Sequence, residues 1–376
     1  MDFSYSEDQT LLRNSVNRYL ADNYKFENWM KFTRGELGRD PVHWKQFAEL
    51  GLLAAPLPEA HGGLDGGPVA SLIIMQEFGR ALVIEPYVPT VVIGGSLLAN
   101  GASEALKGEW LPKIAGGETI MTFAFAETSG RYNLADLTTT AKKQNGNFVL
   151  NGQKSVVLGA PWADQLIVTA RSFGGRRDTK GVSVFLVDKK SKGISTRDFP
   201  TVDGSRASEI TFENVEVPAA RLIGDLDNGL PLVERAVDEA IAAICADATG
   251  AMKMLVDTTV EYSKTRKQFG VPIGKFQVLQ HRMVDMFIHC EQAVSITLML
   301  TLKLGGNDAE RAKAAAAAKV EIGKAGRFVC QSAIQIHGGM GMTDELNVGH
   351  YFKRLTMIDT LYGNADHHLK RYAALA

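Results

Sequence analysis

At 376 residues, against roughly 150 per domain, the chain has to build two or three packed parts, and one small domain is excluded. Hydrophobic residues make up 45% and charged residues 22%, and 41 Lys+Arg stand against 42 Asp+Glu for a net charge of −1. That balance excludes a disordered polyelectrolyte and a basic nucleic-acid binder. The start, Met1-Asp2-Phe3-Ser4-Tyr5-Ser6-Glu7-Asp8, is acidic where a targeting peptide is basic, and no apolar run approaches the ~20 residues of a membrane span. A cytoplasmic protein without a membrane partner is expected.

From Ser6 to about Gly117 apolar residues recur at helical spacing. Ser6 and Gln9 make a capping-box pair, and Asp40-Pro41 places an acceptor at an N-cap and a preset φ at the first helical position. Residues 1–118 therefore read as a helical N-terminal domain. Between about Ile120 and Ile223 the period becomes alternating, as in Gln165-Leu166-Ile167-Val168-Thr169-Ala170, and Asn145-Gly146 signals a hairpin turn needing positive φ. Residues 119–224 read as a central antiparallel β-domain. Its basic loop, Arg171 to Lys180, is most simply a solvated face.

The helical period returns after Asp227-Asn228-Gly229 and predicts a C-terminal four-helix bundle over 225–376. The fold class is thus α+β, mostly α. A first bundle helix from about Leu230 to Lys267 is long enough to bury a face against another subunit, so an oligomer is expected. Cys245, Cys290 and Cys330 stand alone in apolar helical patterns and read as buried inert thiols. His367 and His368 lack a third ligand and read as surface or interface histidines, so no metal is expected.

Two segments carry chemistry. In Arg266-Lys267-Gln268-Phe269-Gly270-Val271-Pro272-Ile273 a helix ends and leaves Arg266 and Gln268 at its terminus, where a planar cation and an amide suit a pyrophosphate. In Gln335-Ile336-His337-Gly338-Gly339-Met340-Gly341 consecutive glycines after a helix admit a close backbone approach. Each alone is also an ordinary helix end.

Together, in a helical region that follows a β-domain, these segments resemble the acyl-CoA dehydrogenase family over the whole chain. The resemblance implies N-terminal helices, a central β-domain and a C-terminal four-helix bundle, assembled as a homotetramer or a dimer of dimers with FAD between subunits. It implies that Arg266, Gln268 and Phe269 contact the pyrophosphate and adenine side of an FAD held largely by a neighbouring subunit, and that Gln335, Gly338 and Gly339 cradle the same FAD. The implied chemistry is α,β-dehydrogenation of an acyl-CoA thioester, with electrons passing to an electron-transfer flavoprotein.

Three parts of the family pattern are altered. The usual base is the glutamate of a Tyr-Glu-Gly-Thr motif, and Leu361-Tyr362-Gly363-Asn364 puts Tyr362 in its place. A tyrosine, with a reference pKa of about 10, is protonated at neutral pH. The alternative site on the first bundle helix falls at Ala240, beside Glu239, the one neighbour considered as a substitute base. The flavin platform Thr-Glu-Pro-x-x-Gly-Ser-Asp reads Ala126-Glu127-Thr128-Ser129-Gly130-Arg131-Tyr132-Asn133, and Trp-x-Thr is replaced at Val156 and Leu158. The CoA-gripping Asp-x-x-Arg keeps Asp238 as its substrate-binding residue but has Ile241 for arginine.

The pattern of kept and lost residues is that of a non-catalytic subunit completing the flavin site of an intact, related partner in an α2β2 assembly. It is most similar to the small subunit of heteromeric acyl-CoA dehydrogenases of the pimeloyl-CoA and steroid side-chain types. The alternatives are a self-sufficient homotetramer using Glu239 or an activated Tyr362, and a flavin-free structural homologue.

Overall fold

The capping box expected at the N-terminus is formed in the computed structural model, which describes residues 4–375. The Ser6 side chain accepts from the Gln9 N–H, and the Gln9 side chain accepts from the Ser6 N–H, opening α1 (Glu7–Asn23). α2 (Phe26–Arg34) follows, and α3 (Pro41–Glu49) starts as predicted, with Asp40 accepting from the Val42 N–H. α4 (Gly67–Ala81), α5 (Gly95–Gly101) and α6 (Glu104–Ala115) complete the N-terminal helices, with a π-helical segment at Val88–Gly94.

The sheet strands are β1 (Met121–Ala124), β2 (Thr140–Gln144), β3 (Asn147–Leu158), β4 (Gln165–Arg171), β5 (Val182–Asp188), β6 (Ile194–Pro200), β7 (Arg206–Val217) and β8 (Leu222–Ile223). They run β6-β7-β3-β2-β4-β5-β8, with β1 added to β4. The expected β2–β3 hairpin turns at Asn145 and Gly146, with φ of 50° and 83°. The sheet is mixed rather than purely antiparallel, because β1 pairs parallel with β4, Met121 opposite Gln165. Both strands are buried along their whole length, as parallel pairs require.

α7 (Leu230–Thr265), the small hairpin β9 (Lys267–Gln268) and β10 (Val271–Pro272), α8 (Gln277–Lys303), α9 (Asp308–His337), α10 (Asn347–Thr360) and α11 (Ala365–Ala374) make up the rest. Three of these helices are long, and the expected fourth is two short ones. The break falls at Tyr362 and Gly363, whose φ of 55° and 113° no helix contains.

The chain divides into two compact units: Met1–Lys31 with Pro68–Val83 and Ile241–Ala376, and Phe32–Gly67 with Ile84–Ala240. In the first, α9 is the hub against which α8, α10 and α11 pack. α4 and α7 cross at glycines, since a Cβ on Gly79 would strike the Asp247 carbonyl and one on Gly250 the Gln76 carbonyl. α8 departs from the sequence expectation, having the length and mean hydropathy (1.3) of a membrane-spanning segment with only 28% of that window buried. Val278, Val284, Phe287, Ile288 and Leu302 along it are exposed. In the second unit the sheet supplies the core, and Arg39 stacks on Trp162 at 5.6 Å.

Candidate functional site

The Arg266–Ile273 and Gln335–Gly341 segments both stand on the first unit, at its surface. α7 ends at Thr265, and the Arg266 carbonyl accepts from the Ile273 N–H at 2.8 Å, closing a hairpin around Phe269 and Gly270. Both turn residues have positive φ, 52° and 79°, the geometry of a type I′ turn. A phenylalanine there is costly, and its ring is 93% exposed. Arg266 and Gln268 are exposed beside it. On α9, Gln335 is exposed, and at Gly338 and Gly339 an added Cβ would meet nothing within 4 Å.

This surface fits an anionic, planar cofactor: an exposed guanidinium and amide at a hairpin, and an open backbone cradle that side chains would fill. The fit holds for the phosphate and adenine end of a dinucleotide.

The Tyr362 turn is firmly mounted. Lys319, wholly buried on α9, donates to the carbonyls of Ile358 at 2.5 Å and Asp359 at 3.3 Å, in the last turn of α10. Burial holds its ammonium down at about 8. Asp359 accepts from Arg327 at 3.1 Å and from the Ala365 N–H at 3.3 Å. His368 is buried, not at the surface, and its Nε2 lies 2.9 Å from the Tyr362 carbonyl. Burial pushes that imidazole to about 3, so it is neutral and donates through Nε2. A Cβ on Gly363 would sit 2.6 Å from His367 and His368, so only glycine serves there. Burial also raises the Tyr362 phenol above its ordinary value, away from what a base needs.

In the second unit the segment expected to be the flavin platform has a buried ionic support beneath a largely apolar surface. Lys154 on β3, wholly buried, donates to Glu127 at 2.8 Å and to the Phe125 carbonyl at 3.2 Å. Burial alone would raise the Glu127 carboxyl; the Lys154 charge and hydrogen bonds from Lys154 and Thr138 overcome it and hold the group at about 2. Above this pair, β3 bulges between Lys154 and Val157, and Val156 takes φ of 50° while 49% exposed. Arg131 also has positive φ, 48°, where the family pattern has glycine. Val156 and Leu158 offer neither ring nor hydroxyl, and the exposed hydroxyls of Thr128 and Ser155 bond each other at 2.9 Å. This face does not fit the polar edge of a flavin.

Asp238 is fully buried on α7. Glu239 accepts from Arg235, one turn back, at 3.1 Å, and its side chain is 18% exposed. The basic loop is engaged within its own unit: Arg176 and Arg177 both pair with Asp136, and Arg171 donates to the backbone carbonyls of Ala135, Arg176, Asp178 and Lys180. The three cysteines are free and buried, and the described residues hold no cluster of metal-ligating side chains.

Sequence reasoning missed the Glu127–Lys154 pair and the Lys319 and His368 supports. Lys154 carried a signal, sharing strand parity with the buried Phe148 and Leu150.

Models of the acyl-CoA dehydrogenase N-terminal, middle and C-terminal domains match residues 6–118, 122–215 and 227–375. The probable acyl-CoA dehydrogenase YngJ of Bacillus subtilis is 29% identical, covering 97% of each chain. The structure of the Tcur3481–Tcur3483 steroid ACAD G363A variant matches at a TM-score of 0.89 and 26% identity, covering 98% of this chain and 97% of that one. The ChsE4–ChsE5 complex from Mycobacterium tuberculosis matches in fold, with a TM-score of 0.90 at 24% identity, over 100% of this chain and 98% of that one. The chain belongs to the acyl-CoA dehydrogenase family, oxidoreductases acting on acyl-CoA.

Proposed function

We propose that this chain is the non-catalytic subunit of a FAD-dependent acyl-CoA dehydrogenase, completing the flavin site of an intact, related partner in an α2β2 assembly. The observation that carries this reading is the Phe269 hairpin, whose strained tip holds the phenylalanine 93% exposed, with an edge contact to Phe276 at 6.2 Å within its own unit. The exposed apolar face of α8 supports burial against another chain. Two structural relatives carry paired component names, Tcur3481–Tcur3483 and the ChsE4–ChsE5 complex.

Each residue then has a stated task. Arg266 and Gln268 bind the pyrophosphate of the partner's FAD, Phe269 covers its adenine side, and Gln335, Gly338 and Gly339 bring backbone against it. A bound flavin supplies the hydride acceptor for α,β-dehydrogenation of the acyl-CoA. The α proton is not taken here: Tyr362 is held protonated, and the Glu239 carboxylate is occupied by Arg235. The base belongs to the partner. Asp238 alone keeps the substrate grip, since Ile241 is apolar and buried. We also place the assembly in the cytoplasm, with an electron-transfer flavoprotein as acceptor, and divide the chain at 1–118, 119–224 and 225–376.

The test is turnover. The purified chain, free of any relative, is expected to leave acyl-CoA unoxidised with a dye acceptor, and turnover by it alone would overturn the proposal. Unchanged turnover on Glu239→Gln in that active chain would then also remove Glu239 as base.

A further inference from the structure

His337 closes α9 immediately before Gly338 and is 3% exposed. Its ring lies on that of Tyr262, with centroids 4.3 Å apart and planes 27° apart. Tyr262 is in the last turn of α7, and its carbonyl accepts the Arg266 N–H at 2.9 Å. Beyond the glycine pair the chain folds back, so that a Cβ on Gly341 would lie 3.1 Å from the His337 Cβ. One ring contact therefore joins the root of the Phe269 hairpin to the Gly338–Gly339 turn, segments about seventy residues apart in sequence.

The nitrogens explain what the ring is for. Nδ1 lies 2.8 Å from the Ala333 carbonyl, which can only accept, so Nδ1 carries the hydrogen. Burial lowers the pKa of the group, the ring is neutral, and Nε2 is a buried acceptor with no hydrogen-bond partner among the described residues. An unpaired acceptor costs stability, so the second nitrogen is not what holds this residue in place. The Nδ1–H bond to Ala333 orients the ring, and its stacked face is what reaches Tyr262.

We infer that His337 is a positioning residue: by stacking on Tyr262 it locks the hairpin and the glycine turn into one rigid surface for the flavin. The inference rests on the proposed reading of those two segments as flavin-reaching. Stacked aromatic pairs are worth about 0.5–1.5 kcal/mol beyond their buried area, so loss of the stack should weaken flavin binding roughly twofold to tenfold.

The experiment titrates FAD, by flavin fluorescence, into the flavin-stripped assembly the full chain forms with its flavin-binding partner. His337→Ala is expected to weaken binding by that factor, and His337→Phe, which keeps a flat ring and discards both nitrogens, to restore it. A merely structural role would not follow ring shape while the melting midpoint stayed constant. Where His337→Ala does not fold, Tyr262→Leu against Tyr262→Phe makes the same comparison. The inference is overturned if His337→Ala binds FAD like the wild type, or if His337→Phe binds as weakly as His337→Ala. Arg266→Ala separates the two levels: weakened binding there with none on losing the stack sinks the inference alone, whereas no effect of either, or no FAD binding by the wild-type assembly, sinks the underlying reading with it.

Discussion

The hairpin at Phe269 and the strand around Val156 are both surfaces that the resemblance to the acyl-CoA dehydrogenase family implies would face a flavin, and they differ in opposite ways. The hairpin and glycine turn keep their side chains on a strained, exposed backbone. The platform segment combines a bulged backbone and a buried Glu127–Lys154 pair with Val156 and Leu158, which offer neither ring nor hydroxyl. A fold loses a function most easily at exposed side chains, because these cost little to replace, whereas a buried ion pair cannot be given up one partner at a time. On the proposed function, the difference separates what this chain needs in order to fold from what it would offer to another chain.

Breaking the platform's skeleton should have the largest effect. Lys154→Met leaves the Glu127 carboxylate buried without its cation and is expected to cost about 3–5 kcal/mol in denaturant unfolding. The same pair sets an acid limit. The folded pKa of Glu127, about 2, lies below the ordinary 4.5, so its stabilisation is complete above about pH 4.5 and is lost as pH falls towards 2. Glu127→Gln should flatten that part of the stability–pH curve, and an unchanged curve would remove the pair from the account.

Arg266→Ala sharpens the contrast from the other side. An exposed guanidinium on a phosphate contributes about 1.5–3 kcal/mol, so flavin retention by the assembled protein should fall roughly tenfold to a hundredfold, with melting of the chain unchanged. Val156→Gly relieves a left-handed β-branched residue and should stabilise the chain by about 0.5–1 kcal/mol, measured by thermal unfolding. Arg235→Ala, which frees Glu239 from a half-exposed pair, should change stability by no more than about 0.5 kcal/mol and elicit no acyl-CoA turnover.

Locally dictated features were legible in the sequence. The Ser6–Gln9 box, the Asp40-Pro41 start and the Asn145-Gly146 turn each rest on groups within three residues of one another, and each formed as read. What escaped depends on distant partners. β1 runs parallel to β4 because the β2–β3 hairpin intervenes, and nothing in Met121–Ala124 itself marks that direction. Glu127 and Lys154 are 27 residues apart, and His368 is buried by the Tyr362 turn rather than by its own helix pattern. Of the candidate site, the motifs were readable; their mounts, Lys319 and His337, were not, because a lysine or histidine in a helix gives no sign of being inside.

The ratio of FAD to polypeptide, measured first on the chain purified alone and then after co-purification with an intact relative, tests the central claim most directly. The account predicts a ratio near zero alone, rising to about one flavin per two chains with the partner, because binding requires both surfaces. A ratio near one per chain for the protein alone would contradict it.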